Sequence, residues 1–213
     1  MKGPNKGELE GDQKRESKKG REQAKLPCMD FLKVLQQLDK AMSRDGIRYA
    51  LVGGFALAMR GVQRATADLD FLLLSQDLDR AHEILTALGY QRVFHSENVS
   101  HYRSETDAFG RINILHAFRS PSLSMLDRAE ALAISPGLNI PVLQTEDLIG
   151  LKIQAAVNDP ERADEDWLDI RLLLQAAKRQ GRAPDWELIA DYLAIFDKQH
   201  ERQTLEAWYD QAE

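Results

Sequence analysis

Residues 51–71 read LVGGFALAMRGVQRATADLDF, and this stretch holds the clearest structural pattern in the chain. A β-like run, Arg48–Val52, leads into Gly53 and Gly54, and a short apolar helix is predicted over Phe55–Arg60. Glycines at such a turn let a ligand approach the backbone closely, and the N–H groups at the start of a helix favour a phosphate. A glycine pair also makes tight turns that bind nothing, so the turn alone leaves both interpretations open.

The same stretch runs into an Asp-Leu-Asp pattern at the start of a second predicted strand, Asp68–Leu74. Side chains alternate along a strand, so Asp68 and Asp70 share one face while Leu69 and Phe71 occupy the other. Two neighbouring carboxylates repel each other unless something neutralises them. Mg²⁺ does so in sites that transfer phosphoryl or nucleotidyl groups, often as a pair of ions. The alternative is an exposed edge strand whose two carboxylates are simply solvated.

Together the two motifs resemble the signature of the DNA polymerase β-type nucleotidyltransferase superfamily, which is an apolar residue, two small residues, a spacer and then Asp-apolar-Asp or Glu. The likeness is closer to the AbiEii-type toxin nucleotidyltransferases and their uncharacterised relatives. The matching positions are Gly53, Gly54, Ala56, Gly61, Arg64, Thr66, Asp68 and Asp70. Residues 145–152 and 161–170 resemble two later helical motifs of that family, so the resemblance covers about residues 30–175.

The resemblance implies a role for the central positions of the motif. Gly53 and Gly54 would cradle the phosphates of a nucleotide. Asp68 and Asp70 would be catalytic residues that hold Mg²⁺ or Mn²⁺, with a nucleoside triphosphate (NTP) as the substrate. The implied fold is an α/β or α+β nucleotidyltransferase-like core with a mixed β-sheet and helices, followed by a helical C-terminal region.

Three further residues are nucleotide-binding candidates, and each has a structural alternative. Arg64 and Lys152 could face the triphosphate. Arg64 could equally form an ion pair, and the stem of Lys152 could lie along its apolar neighbours. Thr66 belongs to the implied nucleotide site, but its side chain is expected to order the loop rather than to touch the substrate.

Two more carboxylates, Asp166 and Asp169, lie in the later helical segment. Residues three apart share one face of a helix. We expect these side chains to pair with the nearby Arg162 or Arg171 rather than to bind a metal ion.

The chain departs from the superfamily at its third carboxylate, which lies on a later strand between apolar residues. Asn113 stands at the matching position and remains a candidate for the catalytic site. An amide oxygen can bind a metal ion or accept a hydrogen bond, but it cannot accept a proton as a general base. Glu105 or Asp107 could substitute, although both lie in a predicted turn. His116 has the opposite strand parity and is expected to face away.

Composition and charge exclude several classes of protein. The 213 residues carry a net charge of −6, whereas residues 1–25 hold eight basic and five acidic side chains. An acidic body argues against a broad nucleic-acid-binding face, although a small positive cleft remains compatible with it. The longest apolar run is too short to span a membrane, and the single Cys28 rules out an intramolecular disulfide. We expect a reduced, cytoplasmic protein without a membrane partner.

The chain divides into three predicted parts. Residues 1–25 contain one Leu and no aromatic or β-branched residue, which predicts a disordered tail. Residues 27–144 form the predicted nucleotidyltransferase-like core, in which Pro27 opens the first helix and five strands are followed by a further one near residues 140–143. Residues 145–213 form a helical region with Thr145 as the expected N-cap of its first helix.

The leading functional hypothesis is Mg²⁺-dependent transfer of a nucleoside monophosphate from an NTP to a hydroxyl. The family resemblance suggests an RNA end, such as that of tRNA, as the acceptor, in a toxin–antitoxin setting with an antitoxin protein as partner. The acidic body keeps protein and small-molecule acceptors open. The first alternative is a catalytically weakened or inactive nucleotide-binding protein, marked by Asn113. The second is an unrelated α/β protein in which the two motifs coincide by chance.

Overall fold

The computed structural model describes residues 30–104 and 110–212, which form a seven-stranded sheet covered by helices. This is the mixed α/β architecture that the sequence predicts. In chain order the elements are α1 (Phe31–Arg44), β1 (Tyr49–Val52), α2 (Gly53–Met59), β2 (Asp68–Leu74), α3 (Leu78–Ala87), β3 (Tyr90–His95), β4 (Val99–Ser104), β5 (Arg111–Ala117), α4 (Ser120–Arg128), β6 (Glu130–Ser135), β7 (Leu138–Val142), α5 (Thr145–Asn158), α6 (Ala163–Arg179), α7 (Trp186–Ile195) and α8 (Arg202–Asp210).

The strands lie in the order β3-β4-β5-β2-β1-β7-β6. Strand β2 pairs in parallel with β5 and antiparallel with β1, and β1 pairs in parallel with β7. Strand β2 therefore has a neighbour on both sides. The alternative that placed Asp68 and Asp70 on an exposed edge strand is wrong.

The two faces of the central strands differ in polarity. Leu69, Phe71, Ile112 and Ile114 alternate along β2 and β5, and their side chains are fully buried. Helix α3 covers this face, and the Tyr102 hydroxyl of β4 lies within hydrogen-bonding distance of a ring nitrogen on that helix. Because successive side chains point to opposite faces, the polar residues between these apolar ones meet on the other face of the sheet.

The observed boundaries agree with most predicted ones, and β2 and β5 have the predicted limits. Some helix starts differ, and α2 begins at Gly53 rather than at the predicted Phe55. Helix α1 follows Asp30, whose carboxylate accepts a hydrogen bond from the Lys33 N–H at 3.2 Å, so Asp30 is its N-cap. Thr145 is the first residue of α5, and Gln144 occupies the cap position. The predicted tail over residues 1–25, together with Pro27, Cys28, Glu105 and Asp107, lies outside the described residues.

Two elements, α4 and β6, were not predicted from the sequence. Helix α4 begins with Ser120 and Pro121, a combination typical of loops, but a proline in the first turn of a helix loses no hydrogen bond. Strand β6 is an edge strand with two alanines, which have low β-propensity. Its pairing with β7, rather than its own composition, makes it a strand.

A buried polar cluster ties α4, α5 and α7 together. The Asp147 carboxylate is fully buried and accepts hydrogen bonds from the Arg128 guanidinium and the Tyr192 hydroxyl, both at 2.6 Å. Burial first, and then the bond to Asp147, raise the pKa of Tyr192 far above its ordinary value, so the phenol stays protonated and donates. Gly150, on α5, allows a close approach here, since a Cβ there would lie 2.7 Å from the Tyr192 ring.

Substituting Asp147→Ala is expected to destabilise the fold by about 3 kcal/mol, since it leaves a partly buried guanidinium and a buried hydroxyl without their acceptor. For a chain of this size the melting temperature should fall by roughly 10 °C, as measured by circular dichroism. Asp191→Ala on the exposed side of α7 is the control and should change little. Equal loss in both variants would show that the cluster contributes nothing specific.

Residues 145–212 are mainly helical, as expected, and no helix among the described residues is long and apolar enough to cross a membrane. The division of the chain at residue 144 stays a prediction. Helices α5 and α6 pack against each other, and both carry side chains that reach the polar face of the sheet.

Candidate active site

The register of the central strands places the polar residues of the motif side by side. Asp70 lies opposite Val52 of β1 on one side and opposite Asn113 of β5 on the other. Asp68 lies on the same face, two residues earlier. The Asn113 amide donates a hydrogen bond to Oδ1 of Asp70 at 2.7 Å. Asn113, the residue predicted to stand at the third-acid position, is therefore in direct contact with Asp70.

The two glycines close the site on the β1 side. Gly53 has φ of +62°, and a Cβ added to it would lie 2.0 Å from Oδ2 of Asp70. The Gly54 N–H hydrogen-bonds to Asp70, and a Cβ on Gly54 would lie 2.9 Å from Oγ1 of Thr66. Thr66 also donates to the Asp68 carbonyl at 3.2 Å, so its hydroxyl orders the loop as expected. Only glycines fit between these side chains.

Gly53→Ala is expected to weaken the binding of a Mg–NTP by about 10–100-fold, the effect typical of disturbing a metal ligand's support. The new methyl group must displace the Asp70 carboxylate. Gly46→Ala is a matched control, because Gly46 has φ of +65° and an added Cβ there meets no atom within 4 Å. Both variants bear the same backbone strain, about 1–2 kcal/mol. Isothermal titration should separate them, and equal affinities would contradict the predicted role of this glycine.

The surroundings of the Asp70 carboxylate disfavour its charged form. Burial raises its pKa, and the neighbouring Asp68 raises it further. The amide of Asn113, the ammonium of Lys152 and the Gly54 N–H oppose that shift without cancelling it. Ionising Asp70 therefore costs the folded protein free energy, and a cation bound at the pair would relieve this cost.

The donor set fits a Mg²⁺ ion that is completed by substrate. Mg²⁺ in nucleotide sites takes one or two carboxylates, and phosphate oxygens and water supply the remaining ligands. Asp68 and Asp70 provide those two carboxylates on one face. No preformed group of three or more His, Cys, Asp or Glu side chains exists within the part of the chain that the structure describes. Two carboxylates leave the remaining coordination positions of a Mg²⁺ ion to phosphate oxygens and water.

His101 contacts Asn113 and was not predicted from the sequence. It lies opposite Asn113 on β4, and its Nδ1 is 2.7 Å from Oδ1 of Asn113. The ring packs on the half-exposed Phe94, with ring centroids 5.3 Å apart. Since Asn113 donates its amide N–H to Asp70, its oxygen accepts from His101, which leaves Nε2 as the nitrogen able to take up a proton. Nothing in the local sequence distinguishes His101; only the strand register identifies it.

Lys152 and Arg64 join a charged cluster with two buried carboxylates. Lys152 Nζ lies 2.7 Å from both Asp166 and Asp169, and Arg64 also pairs with Asp169. The expected partners of these carboxylates, Arg162 and Arg171, are wrong, because Lys152 from α5 and Arg64 from the loop before β2 pair with them instead. The two carboxylates hold Lys152 in place and offset part of the charge of its ammonium group. Lys152 and Asp70 line the same cavity.

The interpretation of His116 as a structural residue agrees with its surroundings. The ring lies within hydrogen-bonding distance of the Ser100 hydroxyl at 2.9 Å and the Glu97 carbonyl at 2.8 Å. Burial lowers the pKa of His116, which favours the neutral ring. It lies on the opposite side of β5 from Asn113, as its parity predicts.

A cleft with a cavity of about 380 Å³ lies at this site, and Gly53, Asp70 and Lys152 are among the residues that line it. Its floor is formed by Gly53 and Asp70, and Lys152 and Asp166 lie on the helical wall. A volume of this size suits a small ligand. The arrangement combines a backbone that can be closely approached, a carboxylate pair, an imidazole and a lysine, which together can bind and polarise a nucleotide.

Comparisons with known proteins agree with this fold. The sequence matches a family profile described as "uncharacterised nucleotidyltransferase" over residues 4–195. The fold resembles that of the antibiotic-resistance factor ANT(2'')-Ia, with a TM-score of 0.56 and 15% identity over 84% of this chain and 98% of that one. A nucleotidyltransferase-like protein from Paracoccidioides brasiliensis gives a TM-score of 0.54 and 17% identity over 84% and 91% of the two chains. No curated protein matches the chain in sequence.

Proposed function

The chain belongs to the family of uncharacterised nucleotidyltransferases, and from this premise we propose that it transfers a nucleoside monophosphate from a Mg–NTP to a hydroxyl group. One observation carries the proposal beyond the family match. Gly53 leaves just enough room for the Asp70 carboxylate, which Asn113 orients from the other side. A chain without a ligand at this point would gain nothing from a partly buried pair of like charges.

The residues have distinct parts in the proposed reaction. Asp68 and Asp70 would hold Mg²⁺ or Mn²⁺, which when bound neutralises the charge of the triphosphate. The backbone at Gly53 and Gly54 would lie along the phosphates, and Lys152 would face them from α5. The acceptor oxygen forms a bond to the α-phosphorus while the bond from that phosphorus to the bridging oxygen breaks. Pyrophosphate leaves with the electron pair of the broken bond.

The proton of the attacking hydroxyl needs an acceptor, and Asn113 cannot be that base. We assign the role to Nε2 of His101, because its other nitrogen is committed to Asn113. Imidazole is the side chain that most often works as a general base near neutral pH. In this proposal Asn113 positions the imidazole and Asp70 at the same time through its two amide atoms.

Both parts of the chain contribute to the proposed site. The core over residues 27–144 supplies the glycines, the two Asp residues and His101, while the helical region over residues 145–213 supplies Lys152. We therefore propose that the boundary near residue 144 separates a nucleotide-binding core from a helical region that closes the cleft.

The direct test is incubation with each α-labelled NTP and Mg²⁺ or Mn²⁺ in the presence of cell RNA, cell protein or a small-molecule extract. Label on one fraction identifies the donor and the acceptor class together. The same assay with γ-labelled NTP is the control, since transfer of the monophosphate leaves that label on pyrophosphate. Absence of both label transfer and Mg–NTP binding would overturn the proposal.

Asn113 favours a second candidate, a protein that binds Mg–NTP without turning it over. Here the amide replaces the acid and His101 merely holds it. Isothermal titration with a Mg–NTP would then give ordinary binding, while no acceptor fraction would take up label.

The likeness of the Gly53–Asp70 motif to AbiEii-type toxins supports a narrower version of the transfer reaction. In that version the hydroxyl belongs to an RNA end and an antitoxin protein controls the enzyme. Growth arrest on expression of the wild type, but not of Asp70→Asn, would support this version, and unaffected growth would count against it.

A further inference from the structure

We propose that a second cavity beside the candidate active site binds the acceptor, and that the acceptor is an uncharged small molecule with hydroxyl groups on an apolar body, as in a neutral glycoside. This inference rests on the proposed function and selects one class from its possible acceptors. The cavity has a volume of about 590 Å³, which is in the range of pockets that hold small molecules.

The second cavity continues the first along the same face of the sheet. Leu72 and Leu115 form part of its floor, and they lie two residues beyond Asp70 and Asn113 on their strands. Since side chains two apart share a face, the floor of one cavity runs into the other. The lining residues common to both are Leu115, Leu151, Ala155 and Asn158. A molecule bound in the second cavity can therefore present a hydroxyl to the α-phosphorus near Asp70.

The lining carries very little charge. Its walls are mostly apolar, with Phe118, Met125, Leu151, Ile195 and Phe196 among the described side chains, and none of the lining residues is an Asp or Glu. The guanidinium of Arg119 lies over the Phe118 ring, 5.0 Å from its centroid. A polycationic acceptor would find no counter-charge here, and the single arginine is far less than an RNA backbone needs. The chemistry favours an uncharged molecule.

Three side-chain amides give the cavity its polar character. Asn98, Gln154 and Asn158 line it, and none of these amides has a side-chain hydrogen-bond partner among the described residues. Each amide both donates and accepts, which suits hydroxyl groups, because a hydroxyl also does both. Apolar walls with a few such groups are typical of sites for molecules that have a ring face and a hydroxylated edge. His116, by contrast, is already bonded within the protein.

In the inferred reaction one acceptor hydroxyl becomes the phosphodiester oxygen. Its oxygen bonds to the α-phosphorus of the NTP, its proton passes to His101, and pyrophosphate leaves. The product is a neutral glycoside converted to its nucleoside monophosphate ester.

The test compares binding with transfer in pocket variants of the full chain. The probes are neutral compounds (4-nitrophenyl glucosides and galactosides, and adenosine), one polycationic aminoglycoside, and unfractionated tRNA. The variants are Gln154→Trp, which fills the cavity, Gln154→Ala, which removes the amide, and Gln203→Trp on the exposed side of α8 as the matched control. Saturation-transfer NMR measures probe binding, and titration with a Mg–NTP is run in parallel.

At least one neutral probe should bind the wild type and Gln203→Trp equally, and bind Gln154→Trp at least tenfold more weakly. Gln154→Ala should show a smaller loss, and the affinity for Mg–NTP should stay unchanged in all variants. No saturable binding of any neutral probe, or label on the tRNA or the aminoglycoside instead, overturns the inference while leaving the proposed function intact. If the wild type does not bind Mg–NTP at all, the proposed function itself is overturned.

Discussion

Asp70→Asn is expected to abolish transfer and to lower the affinity for Mg–NTP by about 10³-fold or more. A metal ion bound at a phosphoryl group contributes several kcal/mol, and each 1.4 kcal/mol is a factor of ten. The amide keeps the shape of the carboxylate, and the hydrogen bond from Asn113 can remain. The loss should therefore be one of charge rather than of structure. Isothermal titration with and without Mg²⁺ gives the affinity, and label transfer gives the rate.

The folded state should respond in the opposite direction. Burial and Asp68 raise the pKa of Asp70, so its ionisation lowers stability once the pH exceeds the carboxyl's unfolded value. A neutral amide removes that cost, and the variant should melt at the same or a higher temperature than the wild type at neutral pH. Asp191→Asn, at an exposed position of α7, should change neither the affinity for Mg–NTP nor the melting temperature. A marked fall in melting temperature for Asp70→Asn would show that the carboxylate serves the fold.

Much of the fold could be predicted because its strong patterns are local. The Gly-Gly turn, the alternating strand Asp68–Leu74 and the amphipathic helices each depend on residues a few positions apart. The elements that were missed depend on partners outside their own segments. Strand β6 exists through its ladder with β7, and α4 is held by the Arg128–Asp147 pair, which joins residues nineteen positions apart.

The site divides in the same way. The motif identifies Asp70 and Gly53, since their contact follows from one strand, one turn and the next strand. His101 could not be predicted, because its role depends on its pairing with Asn113 between strands β4 and β5. Arg64 was assigned to phosphate with an ion pair as its alternative, and its partner Asp169 lies 105 positions away. Long-range partners of charged side chains cannot be derived from local spacing.

His101→Ala is expected to lower the rate of transfer by about 10²–10⁴-fold, the usual effect of removing a general base. The affinity for Mg–NTP should change little, since the imidazole contacts Asn113 rather than Asp68 or Asp70. Single-turnover measurements with saturating nucleotide separate the two effects. His200→Ala, at an exposed position, is the control. A variant that retains full activity would show that the acceptor or another residue supplies the base.

Asn113→Asp tests the same assignment from the opposite side. The amide N–H that now bonds to Asp70 at 2.7 Å would become a carboxylate oxygen, and three acids would share one face. Without a divalent ion the repulsion should destabilise the fold, and Mn²⁺ or Mg²⁺ with an NTP should restore the melting temperature. The new acid supplies the base that the amide cannot, so transfer should rise, or should appear if the wild type only binds nucleotide.

The decisive comparison is made in the His101→Ala background. If His101 takes the proton in the wild type, the double variant with Asn113→Asp should transfer at least tenfold faster than His101→Ala alone. The reason is that the carboxylate then accepts the proton in place of the imidazole. If His101 only orients Asn113, the single His101→Ala variant should lose little. The double variant should then match Asn113→Asp alone. If the effects of His101→Ala and Asn113→Asp on the transfer rate simply multiply in the double variant, His101 does not take up the proton. Another group in the cleft must then be the base.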